Sequence, residues 1–134
     1  MTRRFRLSLS LLIFAALSMP LQARQPADPV GTWTGTWEGA GGNGGIEIVL
    51  EKGKDGALGG RVSVTGELTY KATLKTVTVD GQKLSWTYDF PPDESIEVQM
   101  AATIDGQSIK GNWSARPKAG GDEIASGTLT AEKK

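Results

Sequence analysis

Apolar and polar residues alternate along most of this chain with a period of two. Leu84, Trp86, Tyr88 and Phe90 interleave with Ser85, Thr87 and Asp89. That period is the mark of a strand with one face on a core and the other in water. Ile96, Val98, Met100, Ala102 and Ile104 form a second stripe, and Ile109, Gly111 and Trp113 a third that faces it. Shorter stripes run through Trp33, Gly35 and Trp37, through Ile46, Ile48 and Leu50, through Val62 and Val64, and through Gly127, Leu129 and Ala131. Between Ala72 and Leu74 on one side and Val77 and Val79 on the other, the phase slips by one residue. One inserted residue restores the facing, which predicts a β-bulge near Lys75–Thr76. No window carries a sustained helical period.

The punctuation divides these stripes into hairpins. Asp55-Gly56, Asp80-Gly81 and Asp105-Gly106 stand 25 residues apart. Asp-Gly is a strong hairpin-turn signal, because primed turns need a positive φ that Gly adopts freely. Three hairpins are predicted: residues 46–51 with 60–65, 68–79 with 83–90, and 96–104 with 108–115. An opening strand over 30–38 and a closing strand over 126–131 bring the count to eight. Gly39 to Gly45 holds five glycines in seven residues and is expected to be a flexible loop. Pro91-Pro92 makes the next segment a connection, since proline cannot donate to a ladder. Residues 116–123 read as a polar loop.

An eight-stranded antiparallel meander has two exposed edges unless it closes on itself. With an even count the first and last strands run antiparallel and can pair. The fold expected is therefore all-β, an eight-stranded antiparallel up-and-down β-barrel. A β-sandwich is the alternative.

Composition refines this picture at the N-terminus. Arg3, Arg4 and Arg6, the apolar run from Leu7 to Ser18, and Leu21-Gln22-Ala23 have the three-part pattern of a secretory signal peptide. The apolar run is shorter than the roughly 20 residues that span a bilayer. The expected organisation is a signal peptide over 1–23, a disordered lead over 24–29 and one barrel domain over 30–134. The product is expected to be exported, periplasmic or extracellular, with no integral membrane segment after cleavage. Beyond residue 23, twelve basic and fifteen acidic residues leave a net charge of about −3 with no basic excess. Nucleic-acid binding is thereby disfavoured.

The chain contains no Cys and no His. Ser–His–Asp triads, Cys nucleophiles and the usual zinc sites are thus excluded by residue type. Asp93-Glu94 and Asp122-Glu123 are carboxylate pairs in loops and read as solvated turns. No catalytic residue, metal site or cofactor is expected, and the protein is not expected to be an enzyme.

The aromatics are the candidate functional residues. Trp33, Trp37, Trp86, Tyr88, Phe90 and Trp113 share the presumed inner face, whereas the facing of Tyr70 is ambiguous. Trp33, Trp37, Trp86, Tyr88 and Trp113 are the candidate ligand-binding set. An eight-stranded barrel is just wide enough to be filled by side chains or to hold one small ligand. One reading is an aromatic-lined interior for a small apolar or neutral ligand, which predicts a connected pocket touching Trp33, Trp86 and Trp113. The other is a packed, ligand-free barrel that serves as a structural or protein-interaction module of the cell envelope, with an envelope protein as partner. Any buried indole N–H needs an acceptor, and a Ser or Thr near a strand end is the expected source.

Gly31-Thr32-Trp33 resembles the Gly-x-Trp signature that opens lipocalins, avidins and their relatives. In lipocalins that Trp closes one end of the barrel beneath a cationic side chain near the last strand. The resemblance implies that Lys133 takes this place, where Arg is typical. Asp55 to Gly60 resembles the second turn of avidin-type barrels, and Leu84-Ser85-Trp86-Thr87 resembles an avidin strand. The polar set that contacts biotin is not present as a series, so biotin is not the expected ligand. Over nearly all of residues 30–131 the chain is most similar to small exported bacterial lipocalin-like barrels.

Overall fold

The computed structural model describes residues 28–39 and 41–134. The expected signal peptide, and the lead up to residue 27, lie outside the described residues. Among the described residues nine antiparallel strands form one curled, open sheet, not the expected eight-stranded barrel. They are β1 (Gly31–Gly39), β2 (Gly42–Lys52), β3 (Leu58–Val64), β4 (Tyr70–Thr73), β5 (Thr76–Asp80), β6 (Lys83–Asp89), β7 (Ile96–Asp105), β8 (Ser108–Pro117) and β9 (Ala125–Lys133). Their spatial order is β4-β3-β2-β1-β9-β8-β7-β6-β5. The first and last strands pair in the middle of the sheet, with Trp33 opposite Lys133 and Trp37 opposite Leu129. The break in the ladder falls instead in mid-chain, between β4 and β5.

The ninth strand comes from the phase slip. Leu74 is buried, Lys75 and Thr76 are both exposed, and Val77 is half-buried. Two successive outward residues end one strand and start another. The Leu74 N–H donates to the Gly60 carbonyl at 2.9 Å and the Lys75 N–H to the Thr87 carbonyl at 2.8 Å. The link thus bonds to β3 on one side and β6 on the other, so the two edges of the sheet are neighbours. Side chains cover the seam where the ladder lapses. Inside, the Tyr70 and Tyr88 hydroxyls meet at 2.7 Å and Phe90 stands edge-on to Tyr70, with centroids 5.3 Å apart. Outside, the Lys75 ammonium reaches Asp89 at 2.7 Å and Glu97 at 2.5 Å, while Lys118 reaches Asp89 at 3.0 Å.

Two expectations about glycine need correction. Gly42 to Gly45 belong to β2, and the register brings Gly39 opposite Gly42, so the glycine run forms a tight hairpin rather than a loop. Here glycine serves close approach. A Cβ on Gly44 would stand 1.9 Å from the Thr65 carbonyl oxygen and 2.8 Å from Trp37 Nε1. In the other turns the Asp-Gly signal works one position out of phase with the simplest reading. Asp80 pairs with Lys83 and Asp105 with Ser108. The central residues are therefore Gly-Gln, with Gly81 at φ 62° and Gly106 at φ 61°. No non-glycine residue has a positive φ among the described residues. A glycine at the first central position is the type II′ pattern. Asp55-Gly56 instead sits in the longer loop between β2 and β3.

Inward-facing residues of all nine strands converge on one core, in which Trp33, Ile48, Leu84, Trp86, Ile104 and Ile109 are 0–1% exposed. No polar or charged residue is buried among the described residues. No helix among them is long and apolar enough to cross a membrane.

Candidate ligand-binding site

The two ends of the curled sheet are built differently. At one end lie the start of β1 at Gly31, the end of β9 at Lys133, and the β2–β3, β5–β6 and β7–β8 turns. Trp33 fills this end and is 0% exposed. Its indole N–H donates to the Pro29 carbonyl at 3.0 Å, and the Lys133 ammonium lies 5.4 Å from its ring centroid. The same ammonium donates to the Asp28 carbonyl at 3.1 Å. Asp28 and Pro29, which the sequence assigns to the lead, are thereby drawn against this end of the curled sheet. A cation over an indole face contributes about 0.5–1 kcal/mol at an exposed site and more when desolvated.

The opposite end holds a cavity of about 170 Å³. Its walls are Trp37, Ile46, Val64, Tyr88, Val98, Met100, Trp113 and Leu129 from the strands, with Tyr70 and Phe90 at the seam. No charged side chain is among its lining residues. Leu68, from the β3–β4 connection, and Ile124, just before β9, form its rim at 44% and 55% exposure. Both are large apolar side chains left in water beside an apolar opening.

The indoles of this end are fixed by backbone acceptors. Trp37 Nε1 donates to the Thr65 carbonyl at 3.1 Å, and Trp113 Nε1 to the Glu38 carbonyl at 3.1 Å. Both acceptors are main-chain carbonyls: one belongs to Thr65, just past the end of β3, and the other to Glu38, where the sequence led to a Ser or Thr. The two rings meet edge-on with centroids 6.2 Å apart and an interplanar angle of 79°. Glycines make room for Trp113: a Cβ on Gly39 would lie 2.3 Å from its Cζ2, and one on Gly127 2.7 Å from its Nε1. The small residues of this region therefore seat a tryptophan instead of opening space.

The tyrosine pair is the polar feature of the cavity. Burial is the main reason that the Tyr88 phenol is pushed far above its usual range, with Tyr70 adding to the shift. Burial likewise raises Tyr70, opposed by its hydrogen bond to Tyr88. Both hydroxyls thus stay protonated at neutral pH and remain donors.

Of the five residues singled out from the sequence, Trp37, Tyr88 and Trp113 line the cavity. Trp33 and Trp86 do not. Trp33 plugs the opposite end, and Trp86 is 1% exposed in the packed middle, opposite Met100. The expected pocket joining Trp33, Trp86 and Trp113 is therefore replaced by one confined to a single end. The Trp86 indole N–H is buried without an acceptor among the described residues. Sequence reasoning missed Leu68 and Ile124 as rim residues and left Tyr70 unplaced. Ile124 carried a readable signal, as a lone large aliphatic after the polar stretch from Gly120 to Glu123.

Among the described residues no group of three or more Asp, Glu, His or Cys side chains is placed to hold a metal ion. No family model, curated protein or solved structure matches the chain.

Proposed function

We propose that this is a non-enzymatic, exported β-barrel protein that binds a small neutral, largely apolar molecule in the cavity walled by Trp37, Tyr88 and Trp113. The observation that carries the reading is the cavity itself: about 170 Å³, apolar, uncharged and opening past Leu68 and Ile124. Apolar cavities of about 150 Å³ stay dry and accept a benzene-sized guest. The volume suits one ring or a short branched chain, and a longer tail would emerge between the two rim residues. An ionised ligand would enter without a counter-charge and lose its hydration, which costs several kcal/mol.

The lipocalin-type reading of the fold belongs to the same proposal. Trp33 beneath the Lys133 ammonium matches what the Gly-x-Trp resemblance implies. In this reading β4 and β5 act as one bent strand that closes an eight-stranded barrel at Leu74–Lys75.

Calorimetric titration with neutral one-ring compounds tests the ligand reading. Saturable one-site binding that quenches or shifts tryptophan emission is expected. Absence of saturable binding across a panel of such compounds overturns it.

A second reading is favoured by the exposure of Leu68 and Ile124. These side chains could seat an envelope protein in place of a small molecule. A photo-cross-linker at position 124 in the native host captures a defined protein under this reading and none under the first.

A further inference from the structure

The tyrosine pair at the seam carries a chemical requirement that apolar lining alone does not. Tyr70 and Tyr88 each bring one O–H donor, and both rings line the cavity. Their hydroxyl oxygens are 2.7 Å apart, and no other hydrogen bond involves either one among the described residues. Two hydroxyls supply two protons, but the bond between them uses one. Whichever oxygen accepts, its own proton is left without a protein acceptor. The other side-chain N–H groups of the wall are already committed, since those of Trp37 and Trp113 donate to backbone carbonyls. The side chains that line the cavity therefore carry one unspent donor and no charge. Its donor strength is enhanced, because a hydroxyl that already accepts a hydrogen bond, or donates one in a chain, is polarised by it.

We infer that the cavity selects ligands carrying one neutral hydrogen-bond acceptor, a carbonyl or ether oxygen, which takes the spare proton of the Tyr70–Tyr88 pair while the rest of the molecule fills the apolar space. This rests on the ligand-binding reading above and names the substrate class of the same site. A pure hydrocarbon fills the volume and leaves the proton unpaired. A carboxylate accepts the proton and lacks a cation. A ketone, an aldehyde or an ester of about one ring in size satisfies both conditions. The position of the pair adds a consequence. Tyr70 is on β4 and Tyr88 on β6, two strands that do not share a ladder. An acceptor bound there ties together side chains from both sides of the seam.

The test compares acetophenone with α-methylstyrene, which replaces the carbonyl oxygen by a CH₂ group at nearly constant shape. Both are titrated into the native protein and into the double variant Tyr70→Phe/Tyr88→Phe. Removing both partners of a hydrogen bond while keeping the rings is close to neutral for folding, and an unchanged thermal midpoint checks this. The ketone is expected to lose about five- to tenfold in affinity in the double variant, the worth of one hydrogen bond. The alkene is expected to bind the variant as well as, or better than, the native protein. Equal changes for the two compounds overturn the inference and leave the ligand-binding reading standing. Failure of both compounds to bind the native protein overturns the two together.

Discussion

The two ends of the curled sheet use the same residue types to opposite effect. At the Trp33 end a single indole is fully buried, its N–H takes the Pro29 carbonyl, and Lys133 covers its face. At the other end Trp37 and Trp113 stand edge-on to each other and leave about 170 Å³ between themselves and the opposite wall. One fully buried tryptophan closes an end. Two tryptophans at the other end, each tethered to a backbone carbonyl, line a cavity. Aromatic content therefore does not decide between packing and binding. What surrounds each ring does.

The largest effect is expected from breaking the closed end. Trp33→Ala removes a fully buried indole and should cost about 3–5 kcal/mol, read as a lower urea midpoint. Next comes a paired enlargement. Ala131 is 2% exposed and does not line the cavity, so Ala131→Leu should cost about 1–3 kcal/mol by overpacking. Ala115 lines the cavity, so Ala115→Leu should leave stability close to native while competing with a bound guest. Equal costs for the two would erase the distinction between the ends. Lys133→Met keeps most of the aliphatic stem and removes the charge over Trp33, an expected loss of about 0.5–1 kcal/mol.

The smallest effect is electrostatic and concerns the outside of the seam. The ammonium groups of Lys75, and then Lys118, ion-pair with Asp89 and hold its carboxyl below the usual range; Lys75 hydrogen-bonds Glu97 and lowers it in the same way. These contributions are in place above about pH 4, the ordinary carboxylate range, and fade as the pH falls through the lowered values. Asp89, and then Glu97, raise Lys75 above its usual range. That contribution is present at neutral pH and lost only as the pH rises through the raised value. Native protein should therefore lose more stability than Lys75→Met between pH 5 and pH 3, and the gap should shrink in high salt because the groups are solvated.

Much of the fold was legible because period-two alternation is a direct consequence of strand geometry. The stripes through Leu84–Tyr88 and Ile96–Ile104 fell on β6 and β7, with Phe90 just beyond β6, and the slip near Lys75–Thr76 marked the point where the ladder lapses. The same slip was read as a bulge inside one strand, which is why the strand count came out at eight instead of nine. The glycine run over 39–45 was misread for a physical reason. Local preference treats glycine as flexibility, whereas Gly44 is there to admit the Trp37 indole across the hairpin and the Thr65 carbonyl, which is distant in sequence. The site was half legible. Parity placed Trp37, Tyr88 and Trp113 on the inner face, but parity does not say at which height along the axis a ring sits or which carbonyl will tether it. The Tyr70–Tyr88 contact spans a seam between strands with no shared ladder, so no local pattern announced it.

The four tryptophan indole N–H groups give the most direct test, because Trp37 and Trp113 line the cavity and Trp33 and Trp86 do not. An ¹⁵N-labelled sample titrated with acetophenone should show saturable shifts of the Trp37 and Trp113 indole signals, with those of Trp33 and Trp86 unmoved. Shifts centred on Trp33, or no saturable shift at any of the four, would contradict the assignment of a plugged end and a binding end.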